Sequence, residues 1–225
     1  MFDVRNRHVA QIVQDYEAMS REVLEQYGRV ERQLTTPANA QLSQLVDHSE
    51  RMIDSMEVKL HQDIMHAIVL YMPKAVESRM VVSYYDMTSD MERVGDLLEN
   101  SHRALQNVYR EGAVFTELKD DFERQFAQVR KNLQTAIFAF TCGEPDTARA
   151  LLDDDQPIDH LHREICQVLP ALIAEHGARQ DEATTALSLF SLSHALERIG
   201  DHSSNLAEAT IYTYVGQFVR HGGAE

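Results

Sequence analysis

The chain has 225 residues, 44% of them hydrophobic, and a formal charge of −15. That length supports one large domain or two small ones. The acidity excludes nucleic acid as a partner, because phosphate backbones repel such a surface; basic proteins and metal cations suit it.

In chain order, Val9, Ile12, Val13, Tyr16 and Met19, then Val23, Leu24 and Tyr27, sit at helix spacing. They predict a first helix over about 3–34. The segment TTPAN stops it, with Pro37 suited to the first turn of the next helix. Leu42, Leu45, Val46, Ile53, Met56, Leu60, Ile64 and Ile68 predict a second helix, broken at Pro73. Val81, Tyr84, Met87, Met91, Val94 and Leu98 form a nearly heptad stripe on a third. Its Met and Tyr content reads as core rather than as an adaptable partner surface. YREGAVF, residues 109–115, reads as a linker. A fourth helix covers about 116–141 and ends at TCGEPD. The next begins near Pro145 and carries Pro157 and Pro170, so it is expected to be broken or kinked. The last covers about 180–220, and the tail HGGAE is expected to fray.

With nine Gly, five Pro and no Trp, the composition favours helix over sheet. Cys142 and Cys166 show no zinc spacing and no disulfide framework, and fit free thiols in a reducing compartment. The N-terminus lacks the apolar core of a signal peptide. The most apolar stretch, IMHAIVLYM, is too short to span a bilayer. A cytoplasmic protein is expected, peripheral to a membrane only through partners.

The helices count three plus three. Shifting the sequence by 105 residues aligns 50–105 with 155–210 without a gap. About a dozen pairs are identical, and five fall in one motif: Glu92, Arg93, Gly95, Asp96 and Asn100 against Glu197, Arg198, Gly200, Asp201 and Asn205. The expected fold is all-α, a tandem pair of three-helix bundles related by internal duplication, over residues 1–110 and 111–225.

Glycine within a helix costs about 1 kcal/mol relative to alanine, and acids four apart repel. Both penalties occur twice here. On a helix, Glu92, Asp96 and Asn100 lie within about 80° of one another, and Glu99 is close to the same line. Glu197, Asp201 and Asn205 repeat the stripe, and Glu208 extends it. The preceding helices carry Glu50 and Asp54, then Asp155 and Asp159. Glu57 and His61 continue the stripe in the first half, with His162 and Cys166 at the equivalent positions in the second. A lone pair of acids four apart is ordinary on a solvated helix. Recurrence at fixed offset, with no Lys four residues on, is not. Converging carboxylates without a counter-charge raise their own pKa values; a hard cation such as Mg²⁺, Ca²⁺, Mn²⁺ or iron relieves them. Gly95 and Gly200 then admit a neighbouring helix or a metal cluster.

Oxygen-activating di-iron chemistry needs paired ExxH motifs. Glu99 and His102 form one, but Ser204 and Ala207 break its copy. No HExxH, nucleotide cradle or GxSxG occurs. His194 is a surface or core histidine more readily than an outer ligand, and one of His160 and His162 is expected in solvent.

LERIGDHSSNLAE and MERVGDLLEN resemble the signature of the PhoU family, LERIGDHAxNIAE. ERMID and DQPID are similar to its DexxD element, and MPKAVESR to its QPxAxDLR segment. Departures are Leu97-Leu98 for His-Ala, Met72 for Gln, Ser78 for Leu and Glu77 for Asp, and the second half lacks the proline segment. The resemblance implies paired three-helix bundles with multinuclear metal clusters on their surfaces. Glu50, Asp54, Glu92, Asp96 and Asn100 would hold one, and Asp155, Asp159, Glu197, Asp201 and Asn205 the other. The metal could be iron, zinc, manganese, magnesium or calcium, since carboxylates accept several. The resemblance further implies a non-enzymatic negative regulator of phosphate uptake. Its partners would be a phosphate transporter ATPase subunit and a sensor histidine kinase; a homodimer is compatible with it. The alternatives are a metal-dependent hydrolase or oxidase, an accessory of another ion or phosphate transporter, and a scaffold with solvated acids.

Overall fold

The structure is a computed structural model that describes residues 2–37, 39–74, 76–154 and 156–219. Seven helices appear among them, with no strand: α1 (Phe2–Arg32), α2 (Ala40–Tyr71), α3 (Val76–Gln106), α4 (Ala113–Cys142), α5 (Pro145–Asp153), α6 (Gln156–His176) and α7 (Gln180–Val215). The expected three plus three is present, with the middle helix of the second half broken in two.

Local chemistry sets the boundaries. Asn39, not Pro37, opens α2: its side chain accepts from the Leu42 N–H, an N-cap that leaves the proline outside the helix. Met72 closes α2 at φ 44°, a left-handed position directly before Pro73. Gly143 and Gly216 close α4 and α7 with φ of 70° and 79°. The Gly216 cap is why α7 stops at Val215 rather than continuing to 220. Pro157 lies in the first turn of α6, where its missing N–H costs nothing. Pro170 stays inside α6 without ending it. The HGGAE tail lies outside the described residues.

α1, α2 and α3 form the first bundle, and α4 to α7 the second. Extensive packing of α3 on α7, with a smaller contact of α1 on α4, joins the two. The buried apolar residues form one continuous core across both halves. At its centre the Tyr16 ring lies edge-on to Tyr84 and Phe140, with centroids 5.1 and 5.4 Å away. Met87 and Met91 are buried with Tyr84, as the stripe on α3 implied, whereas Tyr85 is exposed and stacks on His61. A second tie crosses the linker. The buried Glu182 of α7 accepts from the Ala113 and Val114 N–H groups at 3.0 and 3.2 Å, capping α4 with a carboxylate from another helix.

Candidate functional site

The two motif glycines explain how the acidic stripes come to lie side by side. A Cβ on Gly95 would lie 3.3 Å from Ile53 of α2, and one on Gly200 would lie 3.0 Å from Ile158 of α6. Ile53 and Ile158 are themselves equivalent in the duplication. The gap left by each glycine is filled by a neighbouring helix, which sets the pair of helices carrying each stripe close together.

In the first half this brings Glu50, Asp54 and Glu57 of α2 against Glu92, Asp96 and Glu99 of α3. Burial pushes the Glu50 carboxyl above its ordinary range, and the charges of Asp54, Glu99 and Asp96 push it further. A hydrogen bond with Asp54 acts the same way, since two carboxyls share one only with a proton between them. Glu92 is raised to about 7 by burial, then by Asp96, Glu57 and Asp54, with Arg93 opposing. Glu57 and Glu99 thus border the cluster and add to its charge, although Glu57 accepts from Ser89 and Glu99 is paired with Arg103. Their signal in the sequence was the continuation of each stripe by one further turn. The ExxH histidine turns away: buried His102 has its Nδ1 2.6 Å from Gln33 Oε1.

The second half differs in chemistry. Asp159 and Asp201 are exposed, and Glu197 is paired with His194 at 3.3 Å. Asp155 lies outside the described residues. Beside this stripe, His162 Nδ1 is 2.9 Å from Ser193 Oγ, and Cys166 Sγ is 3.6 Å from His162 Nε2. Burial and the neighbouring His194 hold His162 below its usual range, while His160 is exposed beside Glu164. Imidazole and thiol therefore border the second face where Glu57 and His61 border the first. Asn100 and Asn205 are exposed and line two grooves between α3 and α7.

Among the described residues, no three His, Cys, Asp or Glu side chains close into a ready metal-holding group. The first-half carboxylates share a face without meeting at a point. As a donor set, oxygen-only and mutually repulsive, they fit a hard cation.

The raised Glu92 makes a testable pH effect in metal-stripped protein. A carboxyl whose folded pKa of about 7 exceeds its unfolded 4.5 costs stability when it ionises. The protein is favoured below the lower value, loses stability as pH rises between the two, and levels off above. Glu92→Gln should therefore stabilise the stripped protein near pH 8 by about 1 kcal/mol, after allowing for solvent screening, and do nothing near pH 4. Urea melts at the two pH values measure it. An equal gain at both would show that the repulsion is not the cause.

The model of the PhoU domain family matches residues 9–104 and 122–210, one match in each half. A phosphate-specific transport system accessory protein PhoU homolog of a Burkholderia species is 29% identical over 215 residues, covering 92% of this chain and 90% of that one. The phosphate-specific transport system accessory protein PhoU of Escherichia coli is 25% identical over 228 residues, covering 98% and 92%. The crystal structure of PhoU from Pseudomonas aeruginosa superposes with a TM-score of 0.85 at 25% identity, covering 94% of this chain and 99% of that one. PhoU from Streptococcus pneumoniae shares the fold at 16% identity, with a TM-score of 0.82 and coverage of 96% and 99%. No described helix is long and apolar enough to cross a membrane. With two matched halves, a repeated ER[VI]GD motif and helical neighbours along nearly the whole length, this chain belongs to the PhoU family.

Proposed function

We propose that this protein is a non-enzymatic, metal-binding accessory of phosphate transport that restrains phosphate uptake and phosphate-starvation signalling. The relatives named as accessories of phosphate-specific transport systems, matched over most of both chains, support the transport role. The observation that carries the metal reading is the gathering of six carboxylates on α2 and α3. In the first half Glu50, Asp54, Glu92 and Asp96 hold the metal, with Glu57 and Glu99 beside them. In the second, Asp159, Glu197 and Asp201 do so. A bound cation supplies the positive charge that lets these helices keep their acidic faces together, so the loaded protein presents a fixed surface to its partner. That partner is a transporter ATPase subunit or a sensor kinase in a cytoplasmic location. An apolar surface for such docking exists at the end of α2, where Met65, Val69, Leu70 and Met72 are exposed.

Elemental analysis of purified protein and metal titration after chelation test the metal reading. Asp96→Ala together with Asp201→Ala should strip most of the bound metal and, in cells, leave the phosphate-starvation response switched on in high phosphate. Unchanged metal content in the double variant would show that these acids are not ligands. Normal phosphate control by a metal-free variant would separate regulation from the metal.

A further inference from the structure

The duplication produces two equivalent grooves where α3 crosses α7, and their charges are opposite. One, about 380 Å³, carries Asp86, Asp90 and Glu208. The other, about 530 Å³, has Ser191, Ala195 and Arg103 at the three equivalent positions, each offset by 105 residues. Three acids on one side thus correspond to a hydroxyl, a methyl and a guanidinium on the other. The larger groove adds Arg198 and His194 and has no carboxylate in its lining. This happens on a chain whose formal charge is −15.

The cations of the larger groove are available. Arg198 makes no ion pair or hydrogen bond with any described residue. Arg103 is paired with Glu99 on its own helix and has its Nη1 3.5 Å from Asn100 Oδ1, which leaves further N–H groups of its guanidinium open. Glu197, next to Arg198 in sequence, is taken up by His194. Asn100, Ser188 and Ser191 add neutral hydrogen-bonding groups, and Leu97 and Leu187 form apolar walls. Two guanidiniums from facing helices, with hydroxyl and amide groups between them, are suited to phosphate oxygens. The volume lies in the range of small-molecule pockets and is larger than a single phosphate needs.

We propose that the groove formed by Arg103 and Asn100 of α3 with Arg198 and Ser191 of α7 binds a small phosphorylated molecule. Arg198 and Arg103 grip the phosphate groups from opposite sides, and the apolar walls hold the remainder. The ligand seats on the seam between the two halves, so occupancy stiffens the α3–α7 packing. This inference rests on the charge difference between equivalent grooves, and the groove touches the metal faces only through the Arg103–Glu99 and His194–Glu197 pairs.

The test is calorimetric titration of metal-stripped full-length protein with pyrophosphate, ADP, orthophosphate and sulfate. Pyrophosphate and ADP should bind saturably and more tightly than orthophosphate, with sulfate weakest. Arg198→Ala and Arg103→Ala should each weaken binding about tenfold or more. Arg93→Ala removes an equal charge at the position equivalent to Arg198 and should leave binding unchanged, with melting curves confirming that all variants fold. No saturable binding of any phosphate probe would overturn the proposal, as would equal losses in Arg93→Ala and Arg198→Ala. Orthophosphate binding as tightly as pyrophosphate would overturn the assignment of a larger phosphorylated ligand.

Discussion

Asp90→Ala should destabilise the protein by about 3 kcal/mol or more, among the largest single losses available outside the apolar core. Asp90 of α3 and His202 of α7 meet at 2.8 Å with both side chains buried, joining the two halves from within that seam. Removing the carboxylate leaves an imidazole buried without its acceptor. His202→Leu leaves the carboxylate without its donor and costs at least as much. The duplication shows what a neutral solution looks like, because the equivalents of Asp90 and His202 are Ala195 and Leu97, both buried. Asp90→Ala combined with His202→Leu copies that arrangement into the other half. It should recover to within about 1 kcal/mol of the parent. Denaturant melts of the four proteins measure the cycle. Additive losses in the double variant would mean that the pair does not act as a unit.

The elements and the duplication were legible because they depend on local periodicity. Apolar spacing located α1, α2 and α3, linker and proline breaks bounded the helices after them, and the offset of 105 residues exposed the two halves. Helix ends were less legible where a cap competed with a pattern. Asn39 captured the start of α2 from Pro37, and Gly216 ended α7 inside a run that still looked helical. The acidic stripes were visible as patterns, and so was the need for a close neighbour at Gly95 and Gly200. What could not be read was anything made by α3 crossing α7. Asp90 and His202 are 112 residues apart, and neither belongs to a repeated pair of acids. Glu182 lies in the first turn of its own helix, yet it caps α4. The opposite charges of the two grooves are written in the sequence as Arg103 against Glu208 and Ser191 against Asp86. They acquire meaning only once those positions are known to share a groove.

Gly200→Val should cost about 2–3 kcal/mol, although glycine is the poorer helix former and the substitution would favour an isolated helix. The loss comes from contact. A Cβ at this position meets Ile158 Cδ1 at 3.0 Å and Cγ2 at 3.2 Å, and valine adds two further methyl groups to that contact. At Gly95 the same Cβ would meet Ile53 at 3.3 Å, so Gly95→Ala should be tolerated better than Gly200→Ala. Adding Ile158→Ala to Gly200→Val removes the obstructing atoms. Alone, Ile158→Ala leaves a cavity and costs about 2–4 kcal/mol. Together the two changes should lose less than the sum of their separate effects, by about 1–2 kcal/mol. The helices move apart only in the second half, so, on the metal reading proposed above, Gly200→Val should also weaken metal retention at Asp159, Glu197 and Asp201 while sparing the first-half carboxylates. Metal content per chain then falls partway rather than to zero. Additive stability losses would locate the obstruction elsewhere than Ile158. Unchanged metal content in a folded but destabilised Gly200→Val protein would show that the spacing of α6 and α7 does not govern the second face.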